Sequence, residues 1–166
     1  MFQYSSRKPR GGARGFTLLE LLVTVAIVGT LATVALPLAE VTVKRNREAA
    51  LMSALREIRS AIDAYKLASD QARIFKVVGE TGYPPTLSML VDGVEDARDP
   101  KGARIYFLRR LPRDPLHPDK TLPPAETWGL RSYDSPPDAP MPGQDVYDVY
   151  SLATGVGLNG IPYRQW

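Results

Sequence analysis

The chain has 166 residues, the size of one ordinary domain, and its 44% hydrophobic and 23% charged residues place it among folded proteins. It has no cysteine, which excludes disulfides, thiolate catalysis and cysteine-held zinc or iron–sulfur clusters; its single histidine, His117, excludes a histidine-pair metal site. The formal charge of +3 is uneven: residues 1–15 carry Arg7, Lys8, Arg10 and Arg14 with no acid, while the other 151 hold 17 basic against 18 acidic side chains, a balance that indicates no nucleic-acid surface.

From the N-terminus, the first element is residues 16–38, FTLLELLVTVAIVGTLATVALPL, 23 residues with one charge, Glu20. As a helix it would run about 34 Å, enough to cross a hydrocarbon core of about 30 Å. The 128 residues downstream are too few to wrap a soluble core helix of such uniform apolarity, so it reads as a membrane span. A cleaved secretory signal peptide is the rival, with Pro-Leu-Ala at 37–39 as its processing site. Against it stand an apolar stretch longer than the usual h-region of about 7–15 residues and an acid inside that stretch. Glu20 would cost about 2.5–3.5 kcal/mol at a bilayer centre, less near the interface, so it needs a cationic partner from its own chain or a neighbour. The basic leader favours a cytoplasmic N-terminus; Lys44, Arg45 and Arg47 beyond the span weaken that preference without reversing it.

The string Arg14-Gly15-Phe16-Thr17-Leu18-Leu19-Glu20 resembles the prepilin processing site of type IV pilins and type II secretion pseudopilins. A short basic leader ends in Gly15, Phe16 follows, Glu20 is fifth counting from Phe16, and an apolar helix continues to Pro37. The resemblance implies cleavage between Gly15 and Phe16 by a prepilin peptidase and methylation of the Phe16 amine. It also implies pairing of Glu20 with the Phe16 amine of an adjacent subunit in a helical fibre. Opposite charges in an apolar core are tolerable only when paired, which fits that assignment. Pro37 removes a backbone donor and is expected to kink or loosen the helix, and Gly29 to weaken it further.

Beyond Pro37 the helix is expected to continue to about residue 70. Leu51, Leu55, Ile58, Ile62 and Tyr65 form a stripe with spacings of 4, 3, 4 and 3, flanked by Ala54, Ala61 and Ala68. Arg47, Glu48, Arg56, Glu57, Arg59 and Asp63 then form its solvated face. Ten of the fifteen prolines fall within residues 100–142, marking rigid, turn-rich chain. A short helix is expected over residues 85–91, with proline in its first turn and Gly93 at its end. Short antiparallel strands are expected at 128–133 and 146–152, joined by a loop over 134–145 that holds four prolines.

Three later segments resemble the major, or G-type, pseudopilin: Gly82-Tyr83-Pro84-Pro85-Thr86-Leu87-Ser88-Met89-Leu90 after the long helix, the turn Leu111-Pro112-Arg113-Asp114-Pro115, and the late strand Asp148-Val149-Tyr150-Ser151-Leu152. That family commonly binds calcium in a C-terminal loop, and calcium takes about six to eight oxygens, usually with carboxylates among them. Residues 153–166 contain no acid, so the ligand loop is not matched; Asp145 and Asp148 precede it, alternate with apolar residues and are expected to face solvent. The aromatic tail is expected to dock on the sheet or on a neighbour. Gly155-Val156-Gly157-Leu158-Asn159-Gly160 matches a dinucleotide fingerprint literally, but six residues remain for the helix and acid it requires, so it reads as a turn. His117 lies in a proline-bounded loop, Glu95, Asp96, Arg98, Asp99 and Lys101 read as a charged surface loop without a convergent partner, and no catalytic constellation emerges.

The expected fold is therefore α+β, a type IV pilin-like lollipop. Residues 1–15 would be the cleaved leader, 16–38 the transmembrane and fibre-core helix, and 39–166 a periplasmic domain in which the helix packs on a small antiparallel sheet. The resemblance implies a non-enzymatic subunit of a type II secretion pseudopilus, single-pass in the bacterial inner membrane with its C-terminal domain periplasmic. Its implied partners are further copies of itself, prepilin peptidase, the inner-membrane secretion platform and minor pseudopilins. A type IV pilus subunit is the near alternative; a membrane-anchored periplasmic enzyme or binding module is the distant one.

Overall fold

A computed structural model describes residues 15–166, apart from the side chains of 34–37; the basic leader residues Arg7, Lys8, Arg10 and Arg14 and the Pro37 ring lie outside the described residues. The first element, α1, is Leu18–Asp70, a 53-residue helix that runs through position 37. Thr17 caps it: its Oγ1 accepts the Glu20 N–H at 3.2 Å, satisfying one of the donors every helix start leaves open. At the other end Ala72 adopts a left-handed conformation (φ 54°), which lets Arg73 N–H donate back to the Ala68 carbonyl at 2.9 Å. An alanine there costs roughly 1–2 kcal/mol relative to glycine, so tertiary packing imposes the helix end against local preference.

The chain forms two compact units, one up to Thr42 and one spanning Val43–Trp166. In the first, every described side chain of residues 15–33 is exposed. In the second, Leu51, Leu55, Ile58, Ile62 and Tyr65 are buried along one face of α1, with Ala54, Ala61 and Ala68 beside them. They share one core with Leu87, Leu90, Leu108, Trp128, Val146, Val149 and Tyr163.

After α1 the elements are short. Helix α2, Met89–Asp92, stops at Gly93 (φ 74°), whose N–H donates to the Met89 carbonyl at 3.2 Å. It begins later than residue 85, because Met89 and Leu90 bond back three residues to Thr86 and Leu87 and make a turn of that stretch. The prolines thus precede the helix and do not open it. Strands β1, Val94–Glu95, and β2, Arg104–Ile105, pair antiparallel as a small hairpin. A 3₁₀ turn over Pro124–Thr127 leads into β3, Trp128–Arg131, which pairs antiparallel with β4, Asp148–Ser151.

Both strands are shorter than their patterns suggest, for one physical reason: flanking backbone groups find loop partners in place of ladder partners. Ser132 N–H donates to the Met141 carbonyl, Tyr133 N–H to the Asp145 carboxyl, and Val146 N–H to the Pro84 carbonyl. The architecture is α+β, a long N-terminal helix with small antiparallel sheets.

Candidate functional site

Two regions carry the chemistry. The first is the start of α1. Gly15 and Phe16 sit just ahead of the helix, with Phe16 81% exposed, and Glu20 lies in its first turn. There the carboxyl group also favours the positive end of the helix dipole. Glu20 is therefore the fourth residue of a Thr17-x-x-Glu20 pattern, the sequence signature of a helix start, which the processing motif overlaps. Downstream, an 18-residue stretch of α1 reaches a mean hydropathy of 2.3 with none of it buried. The threonine hydroxyls in and just beyond it are satisfied within the helix. Thr24, Thr30, Thr33 and Thr42 donate to the carbonyls of Leu21, Ala26, Thr30 and Leu38 at 2.7–2.9 Å. In hydrocarbon, polar groups have no water to fall back on, so this closure suits a lipid or fibre interior.

The second region is the face of α1 expected to be solvated. Arg47, Arg56, Glu57 and Asp63 are exposed, but Glu48 is buried. Its Oε1 accepts the Leu158 N–H at 3.0 Å and the Tyr163 hydroxyl at 2.8 Å. Arg59 is half-buried and turned toward the sheet: Nε donates to Asp148 Oδ1 at 2.8 Å, and Nη2 to the carbonyls of Val149 and Trp166. Asp148 is thus an ion-pair partner and not a solvent-facing acid. Asp145 is buried outright, accepting from the Thr81 hydroxyl and, at 2.9 Å, from the Tyr133 N–H. The loop after β1 also has a convergent partner, since Arg73 Nη2 reaches Asp96 Oδ2 at 2.5 Å. That guanidinium holds the Asp96 carboxyl below its ordinary range. The tail docks within its own chain: Tyr163 is buried and Trp166 packs edge-on against it at 5.3 Å.

One signal for Glu48 is present in the sequence. It stands three residues before Leu51, in step with the buried stripe, and Lys44 stands four before that.

Calcium does not fit this arrangement. Among the described residues no three His, Asp or Glu side chains gather. Around the C-terminal loop, the carboxylates of Glu48, Asp145 and Asp148 already accept from protein donors. The Val156 carbonyl in that loop accepts the Lys44 ammonium at 2.9 Å. The glycine-rich string 155–160 is a turn closed by a Val156–Pro162 bridge.

Residues 10–36 match the prokaryotic N-terminal methylation motif. Over 145 residues the chain is 32% identical to type II secretion system core protein G of Klebsiella michiganensis, covering 82% of this chain and 91% of that protein. The chain belongs to the type II secretion system core protein G family. The Escherichia coli K12 member is 30% identical over 149 residues, 84% of this chain and 92% of its own length. A type IV major fimbrial protein, FimA of Dichelobacter nodosus, is 36% identical over 80 residues, 48% and 47% of the two chains. No solved structure matches the chain. As a core protein G, the chain is a structural pseudopilin anchored by one apolar N-terminal helix, and not an enzyme.

Proposed function

We propose that this core protein G is processed between Gly15 and Phe16, methylated on the Phe16 amine, and drawn from the inner membrane into a short periplasmic fibre whose growth helps export folded proteins. The observation that carries the reading is the start of α1: over residues 16–38 an apolar stretch, its described side chains all exposed, whose single acid, Glu20, stands one turn from the new N-terminus. In a bundle of such helices the Glu20 carboxylate and a neighbour's Phe16 ammonium neutralise one another, so each subunit is held in one register by a contact made only on assembly. The basic leader supports a cytoplasmic N-terminus before processing, with Val43–Trp166 on the periplasmic side. Pro37 serves as a position where α1 loosens on assembly, since its ring provides no N–H for the residue one turn earlier. Prepilin peptidase, the inner-membrane platform and minor pseudopilins are the partners this cycle needs.

Intact and peptide mass spectrometry of the membrane-extracted protein tests the first step. A mature chain starting at Phe16 with one added methyl is expected. A start after Ala39 would identify a secretory signal peptide and end the fibre reading. Partial identity to the fimbrial protein spans about half of this chain, so loss of export, as against loss of surface fibres, in a deletion strain separates secretion from a pilus.

A further inference from the structure

The segment after β4 poses a structural problem. Residues 153–166 contain three glycines and no acid, they make little regular structure, and yet Tyr163 at their end is buried. Within the segment, Gly157 N–H donates to the Ile161 carbonyl, Gly160 N–H to Gly157 and Trp166 Nε1 to Ile161, which closes a turn but fixes it to nothing. Attachment comes from α1. Lys44 Nζ donates to the Val156 carbonyl at 2.9 Å, and Glu48 Oε1 receives the Leu158 N–H and the Tyr163 hydroxyl at 3.0 and 2.8 Å.

Lys44 and Glu48 are one helical turn apart, so cation and anion sit side by side on the stripe that faces the loop. The ammonium takes a carbonyl oxygen and the carboxylate takes two donors. Together they meet both halves of the loop's hydrogen-bonding demand, which a metal ion, able only to gather oxygens, would not.

We propose that Lys44 and Glu48 form a clasp on α1 that orders the C-terminal loop of this protein without a divalent cation, in a family whose members commonly use calcium there. A calcium ion would have to displace the ammonium from Val156 and turn the Glu48 carboxylate away from Leu158 and Tyr163, leaving the Leu158 N–H and the buried Tyr163 hydroxyl without their acceptor. The loop therefore keeps its order where free calcium is scarce, and the subunit's competence does not follow the calcium content of the medium. This stands independently of prepilin processing.

The test is hydrogen–deuterium exchange on the full chain in detergent micelles, in millimolar calcium and in excess EGTA, for wild type, Glu48→Ala, Glu48→Gln and Lys44→Met. Exchange at Gly157, Leu158 and Tyr163 is expected to be the same in calcium and EGTA. It should quicken about tenfold or more in Glu48→Ala while the β3–β4 amides keep their protection. Glu48→Gln, which retains an acceptor oxygen, should fall between. Quickening by EGTA in the wild type would overturn the proposal in favour of a metal site, and unchanged loop exchange in Glu48→Ala would show that the clasp holds nothing. If Glu48→Ala loses protection throughout the domain, Lys44→Met decides: faster exchange at 156–158 supports the clasp and unchanged exchange refutes it.

Discussion

Asp114, in the turn Leu111-Pro112-Arg113-Asp114-Pro115, is 1% exposed, and its removal should be the most damaging single change outside the apolar core. Its Oδ2 accepts the hydroxyl of Ser151, itself wholly buried on β4, at 2.5 Å, and its Oδ1 accepts the Leu116 N–H at 2.7 Å. The same turn presents the Pro112 carbonyl to Trp128 Nε1 at 2.9 Å, so it is tied to both strands of the β3–β4 pair. Asp114→Ala leaves the Ser151 hydroxyl without an acceptor in a site closed to water, at about 1–3 kcal/mol. The Leu116 N–H adds about 1 kcal/mol, less than its full penalty because it regains partial hydration. The sum, about 2–4 kcal/mol, is a large share of the roughly 5–15 kcal/mol that holds a typical domain. It corresponds to a fall in unfolding midpoint on the order of 10 °C. Near-ultraviolet circular dichroism on the full chain in detergent reads it directly, because Trp128 is buried beside the turn. Ser151→Ala removes the donor, and the double mutant should lose less than the sum of the singles, by about 0.5–3 kcal/mol. A midpoint for Asp114→Ala within about 2 °C of wild type would refute the reasoning.

Other changes have equally definite outcomes. Glu20→Ala should leave membrane insertion and the folded domain intact while reducing the yield of sheared fibres; normal fibres would show the charge pair to be dispensable. Gly129 faces Tyr150 across β3 and β4, and a Cβ built there would overlap the ring, so Gly129→Ala must displace the tyrosine and should cost about 1–3 kcal/mol by denaturant unfolding. Burial, with the Glu48 hydrogen bond adding to it, pushes the Tyr163 hydroxyl up to about 12. An unfolded tyrosine ionises near pH 10. The folded state therefore holds its proton longer, and this contribution to stability is complete below about pH 10 and lost as pH rises toward 12. Phenolate absorbance should show Tyr163 titrating late beside Tyr65 and Tyr83, which burial also raises, and Glu48→Ala should bring only the Tyr163 component earlier.

Local information made the first half of the molecule legible. The processing motif, the apolar run and the stripe from Leu51 to Tyr65 are each defined by residues within a few turns of one another, and the stripe is buried as its period requires. What escaped depends on partners far along the chain. Glu48 meets Leu158 and Tyr163 more than a hundred positions away, so nothing beside it in sequence marks it as buried; only its place in step with the stripe does. Asp145 behaves likewise, its burial being decided by Thr81 across 64 positions. The end of α1 falls at Asp70, near the expected position, but the conformation that follows it escaped for a different reason. Ala72 is a helix former held in a left-handed conformation, and local propensity points the wrong way there.

α1 solves two physical problems with one continuous element, and the change of problem is written in its side chains. Between Glu20 and Leu38 its sequence is apolar on all sides, with the hydroxyls of Thr24, Thr30 and Thr33 folded back on its own carbonyls, so no face distinguishes a partner and any apolar surrounding, lipid or a bundle of sister helices, satisfies it. That indifference is what transfer from membrane to fibre demands: the helix exchanges one apolar solvent for another at little cost, and the choice between them is left to a specific contact. In the proposed reading Glu20, the one charged group within residues 16–38, supplies it. From Val43 onward the same helix is striped, with Lys44 and Glu48 set on the stripe itself and both matched within the domain. A helix face that finds its polar partners on its own chain in this way asks little of its surroundings, so the domain can ride unchanged on a helix that changes solvent.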